Sequence, residues 1–302
     1  MRKVFFAFLF VSLSASGQEA PSWFAESLLH LPDDVAQAAK AGKRVMLYFG
    51  QDRCPYCIQL MEVNFRQRPT VERMRKRFVA LELNLWGDRE VVWVEGGTSG
   101  KPMTEKQLAA RLKVQFTPTL IFLDEKGGIA LRLNGYYAPE RFNAALDYAS
   151  GKISRTAFQN VREKNSNEKL NDQPFFTTAR SGKPLAVFFE TPRCFECDAL
   201  HREVLTRPEV LEQLKKFDVM RFPVPGKEAR SARVDYVPTI VLSDARGREV
   251  IRLEAYFRPF HVSGALDYVA SGAYRKEPSF QRFLQTKTDR MRSRGTEVDL
   301  WK

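Results

Sequence analysis

The sequence has 302 residues, of which 44% are hydrophobic, and its formal net charge is +12. At roughly 150 residues per domain this length predicts two domains, and the composition excludes a fibrous or largely disordered chain. A basic excess can serve nucleic acid, anionic membranes or acidic proteins. Because acidic residues interleave with basic ones outside residues 66–77, we expect a solvated basic surface and no nucleic-acid partner.

The first 17 residues have the pattern of a secretory signal peptide. Arg2 and Lys3 precede a mostly apolar run at residues 4–13, and small residues follow up to Gly17. The run is too short to cross a bilayer, and this pattern is typical of a segment that is removed on export. The alternative is a retained N-terminal anchor. We expect a periplasmic protein whose mature chain has no membrane span.

An internal repeat divides the rest of the chain into two copies of one module. Residues 116–148 align with residues 236–268 without a gap, at an offset of 120, and twelve of the 33 aligned residues are identical. A repeat of this strength indicates a duplicated structural unit. The predicted division is a first domain at 21–155, a linker at 156–173, a second domain at 174–287 and a basic C-terminal tail at 288–302.

The predicted elements follow the same order in both copies. A buried strand precedes each cysteine pair, and a helix, a strand, a hairpin and a last helix follow, which predicts a mixed α/β sheet flanked by helices. The first copy is longer, since 64 positions separate Cys54 from Pro118 and 44 separate Cys194 from Pro238. We place the extra residues in a loop at about 86–106. The predicted strands are at residues 44–49, 78–85, 120–123 and 129–133, then at 185–189, 217–222, 240–242 and 249–253. The predicted helices include 35–40, which Asp33 and Asp34 can cap, and 140–150.

All four cysteines lie in two Cys-x-x-Cys motifs, Cys54 with Cys57 and Cys194 with Cys197. Each motif follows a predicted buried strand and begins a helix, so its first cysteine lies at a helix N-terminus. Free N–H groups and the helix dipole favour a thiolate there and lower the thiol pKa. The second cysteine lies one turn further on, where it can attack a mixed disulfide and release the substrate.

Other interpretations of the cysteines stay open. The pairs can be structural disulfides, although such short loops stabilise little. They can also form a tetrathiolate zinc site or a copper(I) site, although a separation of 140 residues between the pairs is unlike a zinc ribbon. We favour redox chemistry for Cys54 and Cys57, and the activity of Cys194 and Cys197 is the more open question.

The order of elements resembles the thioredoxin fold. A strand, a Cys-x-x-Cys motif and a helix come before a Pro-Thr segment, a terminal hairpin and a helix, over residues 23–153 and 174–281. This resemblance implies two tandem thioredoxin-like domains. It also implies that the prolines are cis beside the cysteine pairs, and that the preceding residues bind a substrate peptide through their backbone. These candidate substrate-binding residues are Thr117, Pro118, Val237 and Pro238.

Residues 47–65 and 82–91 further resemble periplasmic thioredoxin-related proteins of the SoxW type, which are associated with sulfur oxidation. The resemblance implies thiol–disulfide exchange on protein thiols and disulfides, with no cofactor beyond the redox-active disulfides. It also implies re-reduction by a membrane thiol carrier of the DsbD or CcdA type. Reduction, oxidation and isomerisation use the same cysteines, so the direction stays open. A redox-inactive binding protein, chaperone or metal carrier, with the second domain as a docking module, is the alternative.

Two departures from the family pattern matter. The buried acid that thioredoxins carry six residues before the first cysteine is replaced by Tyr48 and Phe188, so proton transfer to the second cysteine needs water or another carboxylate.

His201 lies four residues after Cys197, where we expect a partly exposed helix residue, and Met61 at the same spacing in the first copy is a core residue.

Overall fold

A computed structural model describes residues 20–52, 54–159, 180–192, 194–234 and 236–298. The predicted signal peptide at 1–17 and most of the predicted linker at 156–173 lie outside these residues. In the described residues no helix is both long and apolar enough to cross a membrane. The prediction of two α/β modules, each with a mixed sheet and flanking helices, is confirmed.

The first module is built on a four-stranded sheet in the order β2-β1-β5-β6. Strand β1 runs parallel to β2 and antiparallel to β5, and β5 runs antiparallel to β6. The elements are α1 (Leu31–Lys40), β1 (Arg44–Gly50), α2 (Pro55–Gln59), α3 (Arg68–Arg77), β2 (Phe78–Asn84), β3 (Glu90–Glu95), β4 (Thr98–Thr104), α4 (Glu105–Arg111), β5 (Thr119–Leu123), β6 (Ile129–Asn134), α5 (Pro139–Ala149) and α6 (Arg155–Gln159).

Both faces of this sheet are covered, which explains why β1 is mostly apolar and buried from Val45 onward. Met46 and Tyr48 face the cluster that contains the first cysteine pair, whereas Leu47 and Phe49 face the opposite cluster. Helix α1 covers the second face and begins at Leu31, after His30. The predicted cap at residues 33–34 is therefore wrong: these two aspartates lie in the first turn, where the helix dipole favours their charge.

The extra residues of the first module form a hairpin of β3 and β4, followed by α4. Trp93 of β3 is buried in the cluster on the second sheet face. Glu105, at the start of α4, is 1% exposed. Its carboxylate accepts hydrogen bonds from the Asn84 backbone N–H at 2.9 Å and from the Arg89 guanidinium at 2.7 Å. These bonds hold the turn that carries Trp86.

The second module repeats the architecture with a sheet in the order β8-β7-β9-β10. Its strands pair in the same directions as those of the first module. A short helix replaces the inserted hairpin and α4. The elements are β7 (Leu185–Glu190), α7 (Phe195–Ala199), α8 (Pro208–Leu214), β8 (Asp218–Pro223), α9 (Lys227–Ser231), β9 (Thr239–Ser243), β10 (Glu249–Glu254), α10 (Pro259–Ala270) and α11 (Phe280–Ser293).

The two modules pack through equivalent surfaces. The ring of Phe116 lies 4.8 Å from that of Phe257, and the ring of Tyr137 lies 4.1 Å from that of Tyr236. These two pairs are equivalent in the repeat: at the offset of 120, Phe116 corresponds to Tyr236 and Tyr137 corresponds to Phe257. Asn134 and Glu254, which are themselves equivalent, hydrogen-bond across the contact. The interface therefore has the approximate two-fold symmetry that characterises a symmetric homodimer, here within one chain.

Helix α11 belongs to both modules. Phe280 is fully buried and packs on Tyr268 of its own module and on Phe116 of the first. We expected a solvated end beyond Thr288, and residues 289–298 are exposed or half-buried, as expected. The helix continues to Ser293, and Thr288 is the last of its residues that is buried.

Candidate active site

Cys54 and Cys57 form a disulfide at the N-terminus of α2. Cys54 is the residue that caps this helix, and its Sγ accepts a hydrogen bond of 3.1 Å from the backbone N–H of Cys57. Pro55 occupies the first helical turn, where no N–H partner is needed. This bond and the helix terminus favour negative charge on the Cys54 sulfur when the pair is reduced.

The hairpin proline lies beside this disulfide. The peptide bond between Thr117 and Pro118 is cis, as the family resemblance implies. The Sγ atom of Cys54 lies 3.3 Å from the carbonyl oxygen of Thr117. The structure therefore brings Thr117, Pro118, Cys54 and Cys57 together at one end of the sheet.

A cavity of about 360 Å³ opens onto Cys54, Pro55 and Thr117. One wall comes from the first module and the other from α10 and α11 of the second. Cys54 itself is only 3% exposed. The remaining lining residues are Gln51, Asp52, Tyr56, Trp86, Phe116, Phe257, Phe260, His261, Gln281, Arg282, Leu284, Gln285, Thr288 and Arg292.

Tyr56, between the two cysteines, joins the modules. Its hydroxyl accepts a hydrogen bond of 2.8 Å from the backbone N–H of Arg258. Its ring packs edge-on against Phe257 and His261. Burial raises the pKa of Tyr56 and lowers the pKa of His261 to about 4. Both side chains are therefore neutral at pH 7.

A chain of side-chain contacts crosses the mouth of the cavity. The Trp86 indole N–H donates to Gln51 Oε1 at 2.9 Å, and Gln51 Nε2 donates to Gln281 at 3.3 Å. The guanidinium of Arg282 lies 5.2 Å from the centroid of the Trp86 ring. Trp86 comes from the inserted segment of the first module and Gln281 from α11, so both modules build this rim.

The second cysteine pair has the same local geometry. Cys194 and Cys197 form a disulfide, and Cys194 Sγ accepts from the Cys197 backbone N–H at 3.1 Å. The peptide bond between Val237 and Pro238 is cis, and Val237 packs in one cluster with both cysteines. The described residues also contain a cis bond before Pro225, which no pattern in the sequence indicated.

The surroundings of the second pair differ from those of the first. Glu196 replaces Tyr56 between the cysteines and is 7% exposed. It lies near Tyr136 and Tyr137 of the first module. Burial is the main cause that raises the pKa of Tyr136 to about 12 and the pKa of Tyr137 well above its usual value. The negative charge of Glu196 contributes to both shifts. Each Cys-x-x-Cys helix thus faces the other module, with an aromatic contact at one site and a carboxylate at the other.

A buried hydrogen bond that the sequence did not indicate lies under the second site. His201 Nε2 lies 2.7 Å from Glu190 Oε1, and the two side chains are 3% and 0% exposed. The expectation that His201 is partly exposed is therefore wrong, because Glu190 at the end of β7 provides a buried partner. The equivalent residues of the first module are Gly50 and Met61, and Met61 is a core residue, as expected.

Tyr48 and Phe188 are both buried at the position of the missing acid. In the first module, Glu82 pairs with Tyr48 across β1 and β2 and so projects from the same sheet face. Burial raises the pKa of the Glu82 carboxyl. In the described residues no group of three or more His, Cys, Asp or Glu side chains could hold a metal ion.

Comparison with known proteins agrees with the repeat. The family model for the thioredoxin-like domain matches residues 31–150 and 175–270. No curated protein matches the sequence.

Three of the solved structures that match this chain each cover less than half of it. A thioredoxin-fold protein from Helicobacter pylori is 22% identical and covers 45% of this chain and 86% of its own, with a TM-score of 0.34. Periplasmic thioredoxin SoxS from Paracoccus pantotrophus is 21% identical and covers 36% of this chain and 98% of its own, with a TM-score of 0.25. The oxidised C-terminal domain of DsbD from Neisseria meningitidis is 16% identical and covers 44% of this chain and 100% of its own, with a TM-score of 0.30.

Two segments of the chain, each with a Cys-x-x-Cys pair at disulfide distance and at the start of a helix, carry the groups of thiol–disulfide exchange. Because the family model matches more than half of the residues, the chain belongs to the thioredoxin-like domain family.

Proposed function

We propose that the protein is an exported, periplasmic thiol–disulfide oxidoreductase of the SoxW type that works as a reductase, with Cys54 and Cys57 as its principal redox pair. The observation that carries this proposal is the position of Cys54. It caps α2, accepts the Cys57 N–H at 3.1 Å, and opens onto a cavity beside Thr117 and Pro118. The signal-peptide pattern at residues 1–17 supports export.

The reaction needs only the two thiols. In the reduced protein the Cys54 thiolate attacks one sulfur of a substrate disulfide, which forms a mixed disulfide and releases the first substrate thiolate. Cys57 then loses its proton and attacks Cys54 Sγ, which forms the protein disulfide and releases the second substrate thiolate. The substrate gains two electrons and the protein loses two. A dithiol donor, proposed to be a membrane thiol carrier of the DsbD or CcdA type, returns the protein to the reduced state.

The second pair is proposed to have a lesser role. Glu196 lies between its cysteines and is buried beside Tyr136 and Tyr137. A carboxylate between the cysteines disfavours a second negative charge on Cys194 when the pair is reduced. This observation favours a second module that serves mainly as a docking and covering domain. The alternative function, a redox-inactive binding protein, requires that the first module also serves only for docking.

The test is disulfide reduction by pre-reduced protein in a single turnover, with insulin and with the neutral disulfide of 2-mercaptoethanol as substrates. We expect Cys54→Ser to abolish the reaction and Cys194→Ser to leave most of it. Cys57→Ser should accumulate the mixed disulfide, which mass spectrometry detects. Equal activity of wild type and Cys54→Ser would exclude the first pair as the catalyst and favour the binding protein.

A further inference from the structure

We propose that the cavity over Cys54 is a binding site for the disulfide of a small thiol that carries carboxylates. This inference rests on the proposed exchange chemistry, and it replaces a protein disulfide by a small anionic one as the preferred substrate of Cys54. It follows from the cover over Cys54, from the size of the cavity and from the charges that line it.

Contacts between the two modules cover Cys54. A complex between folded proteins typically buries about 800 Å² on each partner. The surface around Cys54 is already used inside the chain, since Tyr56 hydrogen-bonds to Arg258 and Phe116 packs on Phe257 and Phe280. Cys54 is 3% exposed as a result. The space that remains has a volume of about 360 Å³, which is the size of a small-molecule site.

The charge of the lining is the second step. Arg282 and Arg292 of α11 are exposed residues that line the cavity, and neither forms a salt bridge with a carboxylate of the described residues. Asp52 is the acidic residue of the lining, and His261 is neutral because burial lowers its pKa to about 4. The cavity therefore has a net positive charge, and guanidinium groups bind carboxylates through two parallel hydrogen bonds.

The apolar and amide groups complete the site. Trp86, held by its bond to Gln51, forms one side of the mouth, and Gln281 and Gln285 of α11 form the other. Amide side chains can both donate and accept hydrogen bonds, as a ligand with peptide-like groups needs. A disulfide in this cavity has its sulfur atoms at Cys54 and its carboxylates toward the arginines. The exchange itself is the one given above, with two small thiols released for each protein disulfide formed.

The experiment compares disulfides that differ in charge. Full-length protein with Cys194→Ser and Cys197→Ser is reduced, freed of reductant and mixed with oxidised glutathione (anionic), the disulfide of 2-mercaptoethanol (neutral), cystamine (cationic) or insulin. We expect the rate constant to be highest for oxidised glutathione. In Arg282→Gln/Arg292→Gln the ratio of the anionic to the neutral rate constant should fall about tenfold, because the variant no longer pairs solvent-screened guanidinium groups with the carboxylates of the anionic disulfide.

Arg290→Gln is the matched control, because Arg290 lies on the same helix and does not line the cavity. It should keep the wild-type ratio. If insulin reacts faster than oxidised glutathione, or if the double variant keeps the ratio, the inference about substrate class is wrong while the proposed exchange chemistry stands. If the reduced protein reacts with none of the four disulfides, the proposed function itself is wrong.

Discussion

The hydroxyl of Tyr56, a residue between the cysteines of the first pair, accepts a hydrogen bond of 2.8 Å from the backbone N–H of Arg258 in the second module. Tyr56 is only 5% exposed. The redox helix of one module is thus also part of the interface with the other. This relationship makes the access to Cys54 depend on the packing between modules.

Removal of this hydrogen bond should weaken the contact. In Tyr56→Phe the ring still packs on Phe257 and His261, but the Arg258 N–H loses its partner. A buried N–H without a partner costs about 1–3 kcal/mol. We expect the free energy of unfolding in urea to fall by that amount and the reaction with insulin to become faster. Tyr256→Phe is the control, because its hydroxyl bonds to Glu203 outside the cavity. An unchanged insulin rate would argue against the module contact as the cover.

The buried His261 predicts a defined dependence of stability on pH. Burial lowers its pKa from the usual 6.5 to about 4 in the folded state. The unfolded chain therefore binds the extra proton between these values, and stability falls as the pH is lowered from about 6.5 to about 4, then levels off. The contribution lost is about 3 kcal/mol.

His261→Phe should remove this part of the pH dependence. The measurement is the free energy of unfolding in urea from pH 3.5 to pH 7.5, compared between wild type and variant, so that the carboxylates shared by both proteins cancel. Tyr56, Phe257, Phe260 and the backbone of Arg258 surround the histidine in both. Parallel curves for the two proteins would show that His261 does not titrate in this way.

The Glu190–His201 pair should show strong coupling. In His201→Met, which copies the first module, the Glu190 carboxylate stays buried at 0% exposure without its histidine partner. Breaking a buried pair on one side costs about 3–5 kcal/mol. The double variant Glu190→Ala/His201→Met removes both buried polar groups, so we expect it to be more stable than His201→Met alone. A double-mutant cycle on unfolding free energies measures this, and additive losses would contradict it.

Gly264 of α10 lies against the side chain of Leu284 of α11. A Cβ at this position would lie 2.5 Å from the Cδ2 atom of Leu284. We expect Gly264→Ala to displace α11 and to increase hydrogen exchange of its backbone amides, with Ser271→Ala as an exposed control. Because α11 carries Arg282 and Arg292, the preference of Cys54 for an anionic disulfide should weaken in the same variant. Unchanged exchange in α11 would show that Leu284 adapts without moving the helix.

The sequence by itself determined the parts of this protein that depend on local patterns. The repeat predicted two modules, and the apolar strands before each cysteine pair predicted the β1 and β7 strands that position them. The short-range rules for helix ends placed Cys54 and Cys194 at helix N-termini, since an N-cap is decided by a few neighbouring residues. The cis bonds before Pro118 and Pro238 followed from the family resemblance.

Only the tertiary structure decided what surrounds the two sites. Tyr56 and Arg258 are 202 positions apart, and Glu190 and His201 come from different elements, so neither contact has a local signature. The same holds for α11, whose packing on Phe116 of the first module had no local signature. Its apolar face became buried because the duplicated modules present equivalent surfaces to each other, and that packing closes Cys54 into a cavity.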